Sequence, residues 1–285
     1  MPSEPSSLLR ARLERAVAEG RAGDRLWLYA TYHCNLACSY CLTESYPRIA
    51  DRRELSDVDM LEAVSAAREL GFSSVGVTGG EIFMLRSFPE TLGEMAKILP
   101  VLALTNGTLF TDRLLDRLAP LEGADVAFQL SLDSAQPAVN DAQRGRGNFA
   151  TVLEAIPRLH ARGLRVRVAT TLADEDAGDL EELCVLHRGL GISDDDHLVR
   201  RVVRRGKAEL EGIGVPLGPD DVLPELTLTA EGAFLHPFAP TVRNGVTDLD
   251  LCVASAPVAF DAALAAFLQE TESRPAGDDV VRNVR

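Results

Sequence analysis

A partial (β/α)6 barrel of parallel strands, followed by a short C-terminal β-ribbon and helix, is the α/β fold that this sequence predicts. Three observations carry the prediction. Short apolar runs rich in β-forming residues alternate six times with longer segments of helical period before residue 205, the pattern of βα units feeding a parallel sheet. Polar, glycine-bearing or cysteine-bearing turns follow the strands, at the ends where parallel barrels gather their functional loops. The turn after the first strand holds cysteines, where a doubly wound nucleotide-binding sheet needs a glycine-rich phosphate turn.

Taken in order, residues 7–20 have the period of an amphipathic helix, and Leu26–Tyr32 (LWLYATY) is the first strand. Leu55–Leu70 is helical, with Ser56 as N-cap and Gly71 as C-cap. Ser74–Thr78 (SVGVT) is the second strand, with a helix over Ser87–Ile98. Val101–Thr105 (VLALT) is the third, and its helix starts near Thr111 and stops at Pro120. Asp125–Leu132 is the fourth strand, with a helix over Phe149–Arg162. Leu164–Leu172 is the fifth, with a helix around Gly178–Leu190, and His197–Val203 is the sixth. From Gly206 the pattern changes: glycine and proline become frequent, Leu226–Phe238 reads as a ribbon turning at Glu231-Gly232, and a last helix covers Ala256–Glu270. The expected organisation is an N-terminal helical segment (1–25), the barrel (26–205) and a C-terminal extension (206–285) ending in a disordered polar tail.

The chain has 285 residues, 46% of them hydrophobic, enough for one substantial core. Its formal net charge of −14 argues against nucleic-acid binding, which needs a basic face to neutralise phosphates. No apolar run approaches membrane-spanning length and the N-terminus lacks a signal-peptide h-region, so a cytoplasmic location without a membrane partner is expected.

Chemistry concentrates in Cys34, Cys38 and Cys41, a Cys-x3-Cys-x2-Cys run holding three of the five cysteines. Three thiolates on one loop can ligate three irons of a [4Fe–4S] cluster and leave the fourth without a protein ligand. A zinc site with His33 as fourth ligand is a second reading, although structural zinc usually draws paired ligands from two segments. A disulfide framework does not suit five cysteines in a chain of this size. The spacing, Tyr40 before the last cysteine and the strand upstream resemble the radical SAM superfamily. The resemblance implies that the open iron binds S-adenosylmethionine (SAM). Reductive cleavage then yields a 5′-deoxyadenosyl radical that abstracts hydrogen from a substrate.

The later strand ends carry residues that this resemblance turns into candidate SAM contacts. Gly79, Gly80 and Glu81 follow the second strand and resemble the Gly-Gly-Glu motif that holds the methionyl ammonium; taken alone they are an ordinary turn with a solvated glutamate. Asn106, in Thr-Asn-Gly after the third strand, resembles a barrel-lining turn, and is otherwise a plain Asn-Gly turn. Ser131 and Asp133 close the fourth strand, where relatives place groups near the SAM ribose and carboxylate, and where an acid can also cap a helix. Arg144 matches an arginine that binds the SAM carboxylate or the substrate, or it is a solvated loop residue. Thr170, with Thr171, ends the fifth strand where relatives carry a ribose contact.

Arg200, Arg201, Arg204, Arg205 and Lys207 form the one basic cluster of an acidic chain. Strand alternation sends one arginine toward the barrel interior, where it can hold a substrate carboxylate; a solvated edge and a docking patch for an acidic flavodoxin- or ferredoxin-type reductant are the other readings. Cys184 and Cys252 read as core thiols, too few for an auxiliary cluster of the SPASM type, so one cluster is expected. His187 and His236 receive no role. The expected function is a single-cluster radical SAM enzyme acting on a peptide or small molecule at an open barrel mouth. A cluster-bearing sensor and a zinc-stabilised interaction module are the alternatives.

Overall fold

Strand pairing fixes the architecture of the computed structural model, which describes residues 4–173, 180–216, 218 and 221–274. After a first helix α1 (Ser6–Ala18), six βα units follow: β1 (Arg25–Thr31), α2 (Asp57–Leu70), β2 (Ser74–Gly79), α3 (Phe88–Ala96), β3 (Val101–Thr105), α4 (Asp112–Leu118), β4 (Val126–Ser131), α5 (Pro137–Arg144), α6 (Asn148–His160), β5 (Arg165–Leu172), α7 (Leu180–Gly189) and β6 (His197–Arg201). The remainder holds α8 (Lys207–Leu210), β7 (Thr227–Thr229), β8 (Gly232–Phe234), β9 (Thr241–Arg243), β10 (Val246–Asp248), β11 (Cys252–Ser255) and α9 (Phe260–Glu272). The first six strands lie side by side in chain order and all parallel, which is the predicted partial barrel. Among the described residues no helix is long and apolar enough to cross a membrane.

The C-terminal ribbon forms, but not as an appendage. Its first strand, β7, pairs parallel with β1 through Trp27 and Leu28, and β8 and β11 extend the same sheet antiparallel, giving nine strands. Helices α1 and α9 pack together, and their Leu9, Leu13, Phe267 and Leu268 join the core that buries the outer faces of the strands. Short α5 was not expected; it starts at Pro137, whose fixed φ suits a first helical turn. Helix α9 begins four residues later than expected, because Pro257 biases its predecessor away from helical geometry. Strand β6 ends at Arg201, where its partner β5 also ends. The start expected for α7 at Gly178 and most of the polar tail lie outside the described residues.

The pleat sorts each strand into two faces. On β4, Val126, Phe128 and Leu130 enter the outer core under the helices, while Ala127 belongs to a separate inner cluster with Trp27 and Leu102. Trp27 floors the barrel, its indole N–H donating to Glu225 Oε2 at 2.9 Å. Gly76 on the neighbouring strand makes room for it, since a Cβ there would sit 2.4 Å from the indole ring. The mouth lies at the opposite, C-terminal end of the strands, where this parity turns Tyr29, Leu104, Ser131 and Thr171 toward the cavity.

Candidate active site at the barrel mouth

The cysteine loop begins where two backbones touch. Gly80 N–H donates to the Thr31 carbonyl at 2.7 Å and Glu81 N–H to the His33 carbonyl at 2.9 Å, which binds the end of β2 to the chain just before Cys34. Cys34, Cys38 and Cys41 are all free thiols and line one cavity of about 170 Å³. Burial pushes the Cys34 thiol up to about 12 and Cys38 up to about 11, so both are held protonated unless a metal takes the proton's place. Donors for thiolates are in position: Leu36 N–H lies 3.3 Å from Cys34 Sγ, Ser45 N–H 3.4 Å from Cys41 Sγ, and the Asn106 amide 3.7 Å from Cys34 Sγ.

His33 does not join them. Its Nε2 faces the Pro47 carbonyl at 3.2 Å, and among the described residues no three Cys, His, Asp or Glu side chains converge on a single-ion site. The loop is also strapped from outside: Val242 N–H donates to the Leu42 carbonyl at 2.9 Å, and the Glu44 carboxylate accepts from Asn244 and Gly245, each at 3.0 Å. The C-terminal extension therefore lies against the cysteine loop, and the mouth is less open than the sequence suggested.

Of the residues expected to contact SAM, Gly79, Gly80, Asn106, Ser131 and Arg144 line the cavity; Glu81, Asp133 and Thr170 do not. Glu81 is fully buried behind the wall. It accepts from the Thr105 hydroxyl at 2.8 Å, from Asn106 N–H at 2.7 Å and from Phe83 N–H at 3.1 Å, tying the end of β2 to the end of β3. Burial raises its carboxyl to about 7 against these donors. A carboxyl raised in the folded state weakens folding as pH climbs from the unfolded value of 4.5 to about 7. The cost reaches about 3 kcal/mol, at roughly 1.4 kcal/mol per unit. Glu81→Gln should flatten that slope: in denaturant titrations the variant gains on the wild type across this window, and parallel curves would refute the effect.

Asp133 anchors rather than lines. Its carboxylate accepts from Arg144 at 2.9 Å and Thr171 N–H at 2.9 Å, and the Tyr40 hydroxyl also donates to it. Burial opposes the Arg144 charge, but Asp133 and Tyr40 outweigh it and the guanidinium pKa is raised. Of the two threonines ending β5, Thr170 turns away from the cavity: its hydroxyl donates to the Leu132 carbonyl at 2.8 Å and meets His197 at 2.9 Å, while Thr171 faces the cavity. Counting the β5 pleat would have made that choice.

The basic cluster separates into different roles. Arg205 is buried in a bidentate pair with Asp250, at 2.9 and 2.7 Å, and Arg204 donates to the Gly214 carbonyl. Only Arg200 and Arg201 reach the cavity. Tyr29 and Phe238 were missed. Tyr29 is the inward residue above Trp27 and donates to the Pro237 carbonyl at 3.0 Å; Phe238 stands in an irregular segment with no sequence signal.

The pattern of the Radical SAM superfamily matches residues 28–186, more than half of the chain. The chain belongs to the radical SAM superfamily. Its members are enzymes that use SAM and a [4Fe–4S] cluster. Among curated proteins, mycofactocin maturase MftC of Mycobacterium tuberculosis is 34% identical over 158 residues, covering 55% of this chain and 39% of MftC. The antilisterial bacteriocin subtilosin biosynthesis protein AlbA of Bacillus subtilis is 32% identical over 166 residues, covering 56% of this chain and 36% of AlbA. The chain thus spans about two fifths of the length of these relatives. Streptococcus suis SuiB, solved bound to its precursor peptide SuiA, superposes with a TM-score of 0.56 at 18% identity over 68% of this chain and 43% of SuiB, a likeness of fold.

Proposed function

We propose that this chain is a radical SAM enzyme that modifies a peptide by hydrogen abstraction, using one [4Fe–4S] cluster held by Cys34, Cys38 and Cys41. The observation that carries the reading is the convergence of three free thiols and the Gly79-Gly80 backbone on one cavity at the barrel mouth. Bound there, the cluster and SAM supply the electron and the 5′-deoxyadenosyl radical that define the superfamily's chemistry. The chain's own groups position them. Leu36, Ser45 and Asn106 donate toward the sulfurs, the contacts that cluster-bound sulfurs accept. Gly79 and Gly80 let a ligand approach backbone, and Asn106, Ser131 and Arg144 offer polar contacts to SAM. Leu36, Leu104 and Phe238 give the cavity apolar wall against which a radical is kept from solvent.

The peptide substrate is supported by AlbA, named for the biosynthesis of a bacteriocin, and by SuiB, solved with a precursor peptide bound. An acidic flavodoxin- or ferredoxin-type donor fits the exposed Arg201 and Arg204 on a chain of net charge −14, and a reducing, cytoplasmic setting fits a partly exposed cluster. Anaerobic reconstitution with iron and sulfide tests the reading. The loaded protein should show broad thiolate-to-iron absorption and, with SAM and dithionite, form 5′-deoxyadenosine. A fully loaded cluster that yields none sinks the enzymatic assignment. Deuterium carried from a labelled precursor peptide into 5′-deoxyadenosine supports peptide chemistry, and its absence with every encoded candidate peptide argues for a small-molecule substrate.

A further inference from the structure

The charge of the cavity wall is opposite to that of the chain. The protein has 43 acidic residues against 29 basic ones, yet the lining contains Arg144, Arg200 and Arg201 and neither aspartate nor glutamate. Arg144 is neutralised from behind by Asp133. Arg200 is not: among the described residues its contacts are the Thr171 hydroxyl, to which Nε donates at 3.2 Å, and the Phe238 ring, whose centroid lies 5.6 Å from the guanidinium carbon. A hydroxyl and an aromatic face orient a guanidinium without cancelling its charge. We propose that Arg200 is a carboxylate receptor for the substrate, its planar fork held edge-on to the cavity by Thr171 and Phe238.

The proposal rests on the peptide reading for the source of that carboxylate, an aspartate or glutamate side chain or a C-terminus. The fold supports the placement. Arg200 stands on β6, the edge strand of the sheet, and the isolated Val203–Val215 bridge lies just past its end. Beside it the 236–240 segment, fixed to β1 through Tyr29 and the Pro237 carbonyl, supplies Phe238. An extended substrate entering at this edge meets Arg200 as a partly buried cation with no ion pair of its own among the described residues, Asp133 acting on it only from a distance while paired with Arg144. Burial, helped by Arg144, lowers the Arg200 pKa from its ordinary value against the opposing influence of Tyr40 and Asp133, and an incoming carboxylate relieves that penalty. A bidentate guanidinium–carboxylate pair is the geometry such a fork favours, and it discriminates sharply against an uncharged amide.

SAM also carries a carboxylate, so the test must separate the two sources. Glutarate serves as probe and glutaramide as its neutral isostere, with binding read by ligand-observed NMR on the cluster-loaded chain. The expected result is binding of glutarate and not glutaramide, retained with saturating SAM. Binding should weaken about tenfold or more in Arg200→Gln and less in Arg200→Lys, the loss of a charge-assisted hydrogen bond being worth about 1.5–3 kcal/mol. Circular dichroism confirms that both variants fold. Glutarate displaced by SAM but not by decarboxylated SAM would assign Arg200 to the cofactor and overturn the proposal. Equal binding of glutarate and glutaramide, or wild-type binding in Arg200→Gln, would overturn it as well. Glutarate binding that survives while no peptide is modified leaves the receptor standing and removes only the peptide reading.

Discussion

Asp133→Ala lowers the free energy of unfolding by about 3–5 kcal/mol, the usual cost of stranding one partner of a buried ion pair. Asp133 has no exposed side-chain surface and Arg144 only 6%, so neither can turn to water. The alanine leaves the Arg144 guanidinium, the Tyr40 hydroxyl and Thr171 N–H without the acceptor that now serves all three. Those donors belong to the last residue of α5, the cysteine loop and the end of β5, so the loss reaches the site as well as the fold. Asp133→Asn keeps the shape and one acceptor oxygen while removing the charge, and should cost less than the alanine. Equilibrium unfolding in denaturant measures both. A loss below about 1 kcal/mol for the alanine would mean that Arg144 finds water, and that the anchor is not what holds Tyr40 beside Cys38 and Cys41.

The barrel was legible because its signals are local and repeated. Apolar runs of strand length, capped helices such as Ser56 to Gly71, and turn residues after each strand all specify the same βα order. The joining of β7 to β1 was not legible, since nothing in either sequence names its partner across about 200 residues. The cavity was legible wherever a backbone or a strand end does the work, as at Gly79, Gly80, Asn106 and Ser131. It failed at acids. Glu81 and Asp133 read as ligand contacts because carboxylates on a barrel rim commonly are, but each sits one layer back and satisfies several donors of neighbouring strands. Sequence shows that an acid is present and not whether donors surround it. Arg200 sits between these cases: alternation sends one arginine of its cluster inward without saying which, and its Phe238 platform comes from a segment without periodicity.

Gly80→Ala should prevent the cysteine loop from closing on the barrel. A Cβ at Gly80 would lie 2.3 Å from the His33 carbonyl oxygen and 2.7 Å from its carbon, closer than real contacts allow. Those atoms are backbone, so no rotamer change relieves the clash. The hydrogen bonds from Gly80 and Glu81 to the Thr31 and His33 carbonyls set this separation, and an alanine must break or lengthen them. Overpacking of this kind costs about 1–3 kcal/mol, and here the strain falls one residue before Cys34. Iron bound after reconstitution should therefore drop further than stability does, because the displaced residue is a neighbour of a ligand. Gly189→Ala is the matched control: it lies at the end of α7 with open space at its Cβ, and should hold or slightly raise stability. Wild-type iron content in Gly80→Ala would show that the strand-end contact does not position the cysteines. A parallel loss in Gly189→Ala would show that the assay reports general fragility rather than this contact.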